Sequence, residues 1–533
     1  MMNYRFNSPR SAATLLVGAF LWTVPFPRPR AADCAALSRT RLPNTTITVA
    51  EAVTGGSFTL PGVPNPLTNL PPFCRVMGEI APTGDSHILF ELWLPIDHWN
   101  GRFTGVGNGG WAGTINYRDM AGEIRRGDAS VSTNTGHAEI PGLDMAKFAF
   151  GHPEQLADFA YRSVHETTEK GKALATAFYG KAPSHSYWMG CSSGGYQGLM
   201  EAQRFPADYD GIVAGAPANN FTRLMAGDFE LTLALNKDTA AMFPRPKLAL
   251  MHDAILAACD ALDGVVDGVL EDPRRCGFDP ASLRCAPGQD ATKCLTDTEV
   301  EQARRVYTGL RHPTTGWVIY PGLSPGSEPA WIAVLNAAAP FPIAISYYKW
   351  LAFADSTWNW KTFDFSHPAD FQVFVSSEAK YAALMNATSP DLGAFGKRGG
   401  KLVQYHGWGD QLISPQNSIN YYESVLAYRQ AGRDRATTLR DVQSFHRLFM
   451  APGMFHCGGG PGPNTFDMQT VVEQWVEQGT APDSIIARRV ANGATIRSRP
   501  LCPYPKLAAY RGSGDTNDAS NFVCRDPEAN TGG

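Results

Sequence analysis

The segment Trp188–Gly198, "WMGCSSGGYQG", restricts the fold more than any other. It contains Gly190-Cys191-Ser192-Ser193-Gly194, a Gly-x-Ser-x-Gly pattern. Ser186–Met189 before it reads as a short strand, and a helix is expected from near Gly194 to before Pro206. A chain that turns sharply from strand to helix through such a sequence lifts its serine above a sheet edge. Ser192 is therefore the expected nucleophile. Ser193 falls outside the glycine frame. The same letters also suit a glycine-rich turn with no chemistry, so the surrounding pattern has to decide.

That pattern alternates strands and helices. Ser86–Ile96 places Ile88, Phe90, Leu92 and Leu94 on one strand face. Arg102–Val106 and Asp128–His137 read as further strands, the second ending in a polar turn. Ala160, Val164, Thr167, Gly171, Leu174 and Phe178 fall on one helical face. Asp210–Pro217 is a buried strand. The alternation stops, then resumes with a strand at Lys401–Asp410 and a helix near Asn417–Gln430. A strand at Ser444–Met450 and a helix at Asp467–Gln478 follow. The reading is α/β: an α/β-hydrolase core with a mostly parallel sheet and a large inserted lid domain. Residues 1–32 form a signal peptide, 33–218 the first part of the core, 219–400 the lid and 401–533 the second part.

The export signal rests on Arg5 and Arg10, the apolar run Ser11–Phe26 and the small pair Ala31-Ala32. A retained N-terminal anchor is the other reading of that run, which is short for a membrane span. The mature chain is expected to be secreted or periplasmic. A net charge of −4 gives no footing for nucleic acid or an anionic membrane.

Export changes what the cysteines mean. Their even number, ten, suggests five disulfides. Connectivity does not follow from sequence. Cys259/Cys276, Cys285/Cys294 and Cys502/Cys524 suit short loops, and Cys34/Cys74 would tie down the N-terminus. Cys191 and Cys457 then remain, as a fifth bond or as two buried thiols.

A serine nucleophile needs a base, and the base needs an orienting acid. In α/β-hydrolases the chain order is serine, acid, histidine. Asp410 closes a strand in "YHGWGDQLISP", and His456 lies in the loop "PGMFHCGGG". The order Ser192, Asp410, His456 fits. His406 and His446 sit inside likely strands and read as packed or hydrogen-bonded, whereas His137 precedes the serine. The tetrahedral intermediate needs two donors. The Ser193 amide is one, and Gly109 or Gly110 of "GNGG" supplies the other. Asp260, Asp263 and Asp267 crowd a glycine-bearing loop between two cysteines, which suits either a solvated acidic turn or a cation.

Cys191-Ser192, Asp410 and His456-Cys457, with "GNGGWAG", "STNTGH", "HGWGD" and "MFHCGGG" in this order, resemble the tannase and feruloyl esterase family. That family also includes hydrolases of mono(2-hydroxyethyl) terephthalate. The resemblance runs from Cys34 to Cys524. It implies a serine carboxylesterase acting on small esters of aromatic acids of the hydroxycinnamic or gallic type. It implies a Cys191–Cys457 disulfide and supports the other four pairings. It also implies a structural lid calcium on Asp260, Asp263 and Asp267, with carbonyls from Val265 and Val269. No redox cofactor is implied. The alternatives are a terephthalate-ester hydrolase and an inactive phenolic- or glycan-binding protein. Terephthalate specialists place an aromatic residue three positions after the acid, as a substrate contact; here that residue is Ile413. Lys349 reads either as a solvated lysine or as a partner for a carboxylate. Asn44, Asn220 and Asn386 head glycosylation sequons. The identity of acid and alcohol, and the oligomeric state, stay open at this level.

Overall fold

A computed structural model describes residues 33–60, 65–237, 243–335 and 340–527. The expected signal peptide lies outside the described residues. Nine strands build the central sheet: β1 (Thr45–Val53), β2 (Phe73–Ile80), β3 (Ile88–Pro95), β4 (Arg102–Val106), β5 (Ala129–Thr133), β6 (His185–Cys191), β7 (Gly211–Gly215), β8 (Lys401–Gly407) and β9 (His446–Ala451). Their order in space is β1-β2-β3-β5-β4-β6-β7-β8-β9. The pairings from β5 through β9 are parallel, whereas β1, β2 and β3 attach antiparallel.

The sequence explains the parallel part. Strand β7, "GIVAG", is buried at every residue, as a strand covered on both faces requires. The helix Ser163–Tyr179 turns Val164, Thr167, Gly171, Leu174 and Phe178 inward. Gly171 belongs to that face because a Cβ there would lie 2.9 Å from the Phe103 ring. The helix ends at Gly180 in a left-handed conformation, a common helix stop. The strand within Asp128–His137 ends at Thr133, and the polar turn expected at its end follows. The Asn134 side chain accepts from the Leu89 and Gly136 amides (2.8 and 2.9 Å), so the chain turns there instead of extending the ladder. The periodicity reading gave no place to β1, β2 or the hairpin Ile485–Ala491/Ala494–Leu501.

Between β7 and β8 the described residues add no strand to the central sheet. They form helices Phe221–Asn236, Arg245–Cys259, Asp297–Thr308 and Pro368–Met385 and a small hairpin. Leu235, Phe243, Met251, Val300 and Trp331 make a separate apolar cluster there. Phe221, Phe229, Tyr347 and Tyr348 instead join the main core, which also holds Trp111, Trp188 and Tyr196. No helix among the described residues is long and apolar enough to cross a membrane.

The helix after Ser192 crosses the sheet without clearance. A Cβ on Gly195 would overlap the Gly215 carbonyl oxygen and lie 3.1 Å from Pro217 Cα. Both neighbours are backbone and cannot rotate away. Gly195→Ala is expected to destabilise the fold by about 1–3 kcal/mol, the range for overpacking. A thermal midpoint equal to wild type would contradict this account.

Candidate active site

Strand β6 ends at Cys191, and the helix Ser193–Arg204 starts two residues later. Ser192 makes the whole turn between them, with φ 63° and ψ −122°. A non-glycine residue in that region is strained by about 1–3 kcal/mol and has to be held. The holding contacts are backbone. Ser192 N–H donates to Gly215 O (2.9 Å), and Ser192 O accepts from Tyr196 and Ala218 N–H (3.0 and 3.2 Å). Gly190 is required too, since a Cβ there would overlap the Gly194 carbonyl.

The loop after β4 lies against this turn. A Cβ on Gly107 would come within 2.5 Å of Gly194 Cα. Asn108 is clamped to Gln197 twice, its amide to Oε1 (3.1 Å) and its Oδ1 from Nε2 (3.0 Å). Its own Nδ2 reaches Thr114 O and Thr133 O. Ser193 Oγ donates to Gly110 O at 2.6 Å, and Gly110 sits at φ 55°. The structure thus brings Ser193 and Gly110 together beside Ser192, with Gly109 next in the same loop. Ser193 is the first residue of its helix, so its N–H faces outward from the helix end.

Asp410 is fully buried in the turn after β8. Its Oδ1 accepts from the Leu412 and Ile413 amides (2.8 and 2.9 Å). Its Oδ2 accepts from His456 Nδ1 (2.7 Å) and His406 Nε2 (3.1 Å). Burial alone would raise this carboxyl, but the two histidines hold it far below the usual carboxylate range. Burial works against a charged His456, and the adjacent Asp410 outweighs it, so the His456 pKa is raised. The His456 amide also donates to Gln411 Oε1 (3.3 Å).

Cys191 and Cys457 are bonded, with Cα atoms 5.9 Å apart across a sequence separation of 266. The bond joins the residue before Ser192 to the residue after His456. Cys457 also has positive φ, 58°. The other disulfides are Cys34–Cys74, Cys259–Cys276, Cys285–Cys294 and Cys502–Cys524, and no cysteine is free.

Other residues singled out in the sequence fall elsewhere. Ile413 is 3% exposed, and its backbone braces Asp410 and His406. Lys349 is not solvated but pairs with Asp144 at 2.8 Å. His446 is buried against Gln404 Oε1 (3.0 Å), and burial pushes it down to about 3. His137 is stacked on Phe148 with ring centroids 3.5 Å apart.

The acidic loop lies inside the Cys259–Cys276 bond. Asp263, Val265, Asp267, Val269 and Glu271 line one small void. Asp260 Oδ2 accepts from Gly268 N–H (2.9 Å), while its Oδ1 is buried with no partner. Burial, then the Asp267 and Asp260 charges, push the Asp263 carboxyl up to about 6. Arg499 pairs with Asp267. An orphaned carboxylate oxygen beside mutually repelling acids fits a hard cation with oxygen ligands. A second group, His165, Glu201 and Asp208, has ligand atoms within 4.8 Å of one another. It lies before β7, at the sheet edge opposite Ser192. Burial and the Asp208 charge push the Glu201 carboxyl above its usual range, which disfavours the full set of charges a cation site would need.

Comparison with known proteins agrees with this geometry. Residues 74–525 match the family model described as "Tannase and feruloyl esterase". An uncharacterized esterase of Xanthomonas campestris pv. campestris is 38% identical, over 96% of this chain and 93% of its own. A probable feruloyl esterase B-2 of Aspergillus terreus is 34% identical, over 91% and 94%. The crystal structure of feruloyl esterase B from Aspergillus oryzae superposes with a TM-score of 0.84 at 31% identity, over 92% of this chain and all of that one. Tannin acyl hydrolase from Aspergillus niger gives 0.76 at 25%, over 93% and 95%. With its nine-stranded sheet, inserted segment and strained serine turn, this chain belongs to the tannase and feruloyl esterase family and is a carboxylic ester hydrolase.

Proposed function

We propose that this esterase is an exported enzyme that cleaves esters of aromatic acids through a Ser192, His456 and Asp410 triad. The observation that carries the reading is the 2.7 Å bond from His456 Nδ1 to Asp410, tied by the Cys191–Cys457 disulfide to Ser192. With Nδ1–H on Asp410, His456 Nε2 is the basic nitrogen. Ser192 Oγ loses its proton to Nε2 as it attacks the ester carbonyl. The oxyanion takes the amides of Ser193 and of Gly109 or Gly110. His456 then protonates the leaving alcohol, and water hydrolyses the acyl-Ser192 ester by the same route in reverse. Each oxyanion donor is worth about 3–4 kcal/mol.

The segment between β7 and β8 acts as a lid over the site. Trp111, in the oxyanion loop, donates from Nε1 to Ile343 O (3.1 Å), and Ser414, beside the acid, donates to Gly322 O (2.6 Å). These bonds couple lid position to both catalytic loops. Trp111, next to Gly110 in the oxyanion loop, packs on Phe148, Phe159, Phe221 and Tyr347, so this loop has a rigid aromatic backing. Ile413 stays the position that separates this reading from a terephthalate specialist. Five disulfides suit an exported protein. Asp260, Asp263 and Asp267, with the Val265 and Val269 carbonyls, would hold calcium. Bound there, it neutralises the acid cluster and stabilises the lid, away from the reacting atoms.

Ser192→Ala is expected to lower kcat/KM on methyl hydroxycinnamates by at least about 10⁴-fold with the fold intact. Retained turnover would move the nucleophile elsewhere. A panel of gallate, ferulate, caffeoylquinate and hydroxyethyl terephthalate esters identifies the acyl group, and no turnover on any aromatic ester would refute the substrate class.

Only neutral His456 can accept the serine proton. Because Asp410 raises its pKa, kcat/KM is expected to rise with pH through an inflection above the ordinary histidine value of about 6.5. Asp410→Asn removes the raising charge and leaves burial, so the inflection moves to lower pH while turnover falls about 10⁴-fold. An inflection that does not move would show that another group titrates.

Exhaustive chelation is expected to lower the thermal midpoint while sparing activity at moderate temperature. At 100 times Kd, a ligand bound only by the native state adds about 2.7 kcal/mol. An unchanged midpoint, with no calcium by elemental analysis of the untreated enzyme, would remove the metal site.

A further inference from the structure

We infer that His406 is a positioning residue for the triad: its imidazole fixes the Asp410 carboxylate so that one oxygen stays aimed at His456. The inference rests on the triad reading above. His406 is fully buried at the end of β8, four residues before Asp410. Its Nε2 faces Asp410 Oδ2 at 3.1 Å and Ile413 O at 3.0 Å. Both are acceptors, so Nε2 carries a hydrogen. Its Nδ1 lies 2.7 Å from Ser418 Oγ, on the helix Pro415–Gln430. In the neutral ring Nδ1 accepts the Ser418 proton, and this bond selects the tautomer that points N–H at Asp410.

A carboxylate can turn about its Cβ–Cγ bond. Here two amides hold Oδ1, and two imidazole N–H groups converge on Oδ2. His456 must stay free to take and give a proton during each turnover. His406 therefore supplies the side-chain donor that stays in place while the His456 bond strengthens and relaxes. The remaining titratable groups whose charge Asp410 feels are Asp228, on the helix Phe221–Asn236, and Tyr320, on the strand Val318–Tyr320. Burial, with the Asp410 charge added, pushes both upward, which disfavours their charged forms. His406 also links to Ile413, so the turn carrying the acid is tied at both ends.

The test compares His406→Leu, which removes the donor, with His406→Gln, whose amide can replace Nε2–H. His406→Leu is expected to lower kcat about 100-fold with KM within about twofold, the effect of a small misplacement. Losing a donor leaves Asp410 more basic, so the kcat/KM inflection moves to higher pH. His406→Gln is expected to recover kcat to within about tenfold of wild type and to restore the inflection. Should His406→Leu fail to fold, His406→Asn, whose amide falls short of Asp410, makes the same comparison. Equal losses in the donor and non-donor variants, or an unmoved inflection in the non-donor variant, would overturn the role and leave His406 as packing. Asp410→Asn run alongside separates the two readings. If that variant keeps wild-type turnover, the triad itself fails. If it is inactive and His406→Leu is not impaired, only the positioning role fails.

Discussion

The Cys191–Cys457 bond brings together two backbone positions that are each unfavourable alone. Ser192 and Cys457 both have positive φ without being glycine. Each would relax if its surroundings loosened, and relaxation would carry Ser192 or His456 out of register. Joining their loops covalently removes the largest single source of drift. In the chain-entropy account, closing so long a loop is worth about 5–6 kcal/mol. The geometric effect matters more here than the stability. Ser192, after β6, and His456, after β9, come from strands three places apart in the sheet. A crosslink converts that distance into a fixed relation.

The remaining restraints are polar and short. Asn108 and Gln197 exchange two hydrogen bonds, which fixes the oxyanion loop to the helix behind Ser192. Ser193 closes the same gap through Gly110. Asp410 has four donors on two oxygens, so its charge is satisfied without water. Buried charge of this kind is tolerable only when every lone pair is engaged. The site is therefore held by a covalent bond on one side and by saturated hydrogen bonding on the other.

Much of this was legible from residue order. The Gly-x-Ser-x-Gly turn, the alternating strands and helices and the Ser192, Asp410, His456 order follow from local chemistry. All five disulfides occur as the resemblance implied. The antiparallel strands β1 and β2 were not legible, because the short residues of "TTITVAEAV" give no clear alternation and only a partner strand makes them a strand. The polar turn after β5 was legible in "NTGH", but not that the Asn134 side chain would take the place of a backbone acceptor there. His406 read as packed or hydrogen-bonded, but its partner could not be known: the bond to Asp410 depends on a turn whose geometry is set by Ile413 and Ser418. Lys349 met Asp144 across about two hundred residues, a distance that no local pattern spans.

The near-contact between Gly107 and Gly194 has a consequence for how such an enzyme can change. A methyl group on Gly107 would overlap Gly194 Cα, and one on Gly194 would press on Gly107 Cα and Asn108 O at 3.1 and 3.2 Å. The oxyanion loop and the serine turn therefore form a part of the molecule in which substitution is closed off. In the segment between β7 and β8, aromatic residues such as Phe229, Tyr348 and Phe363 meet one another through side chains. Backbone contact sets the spacing of the two loops, whereas side-chain contacts hold the aromatic residues of the segment between β7 and β8.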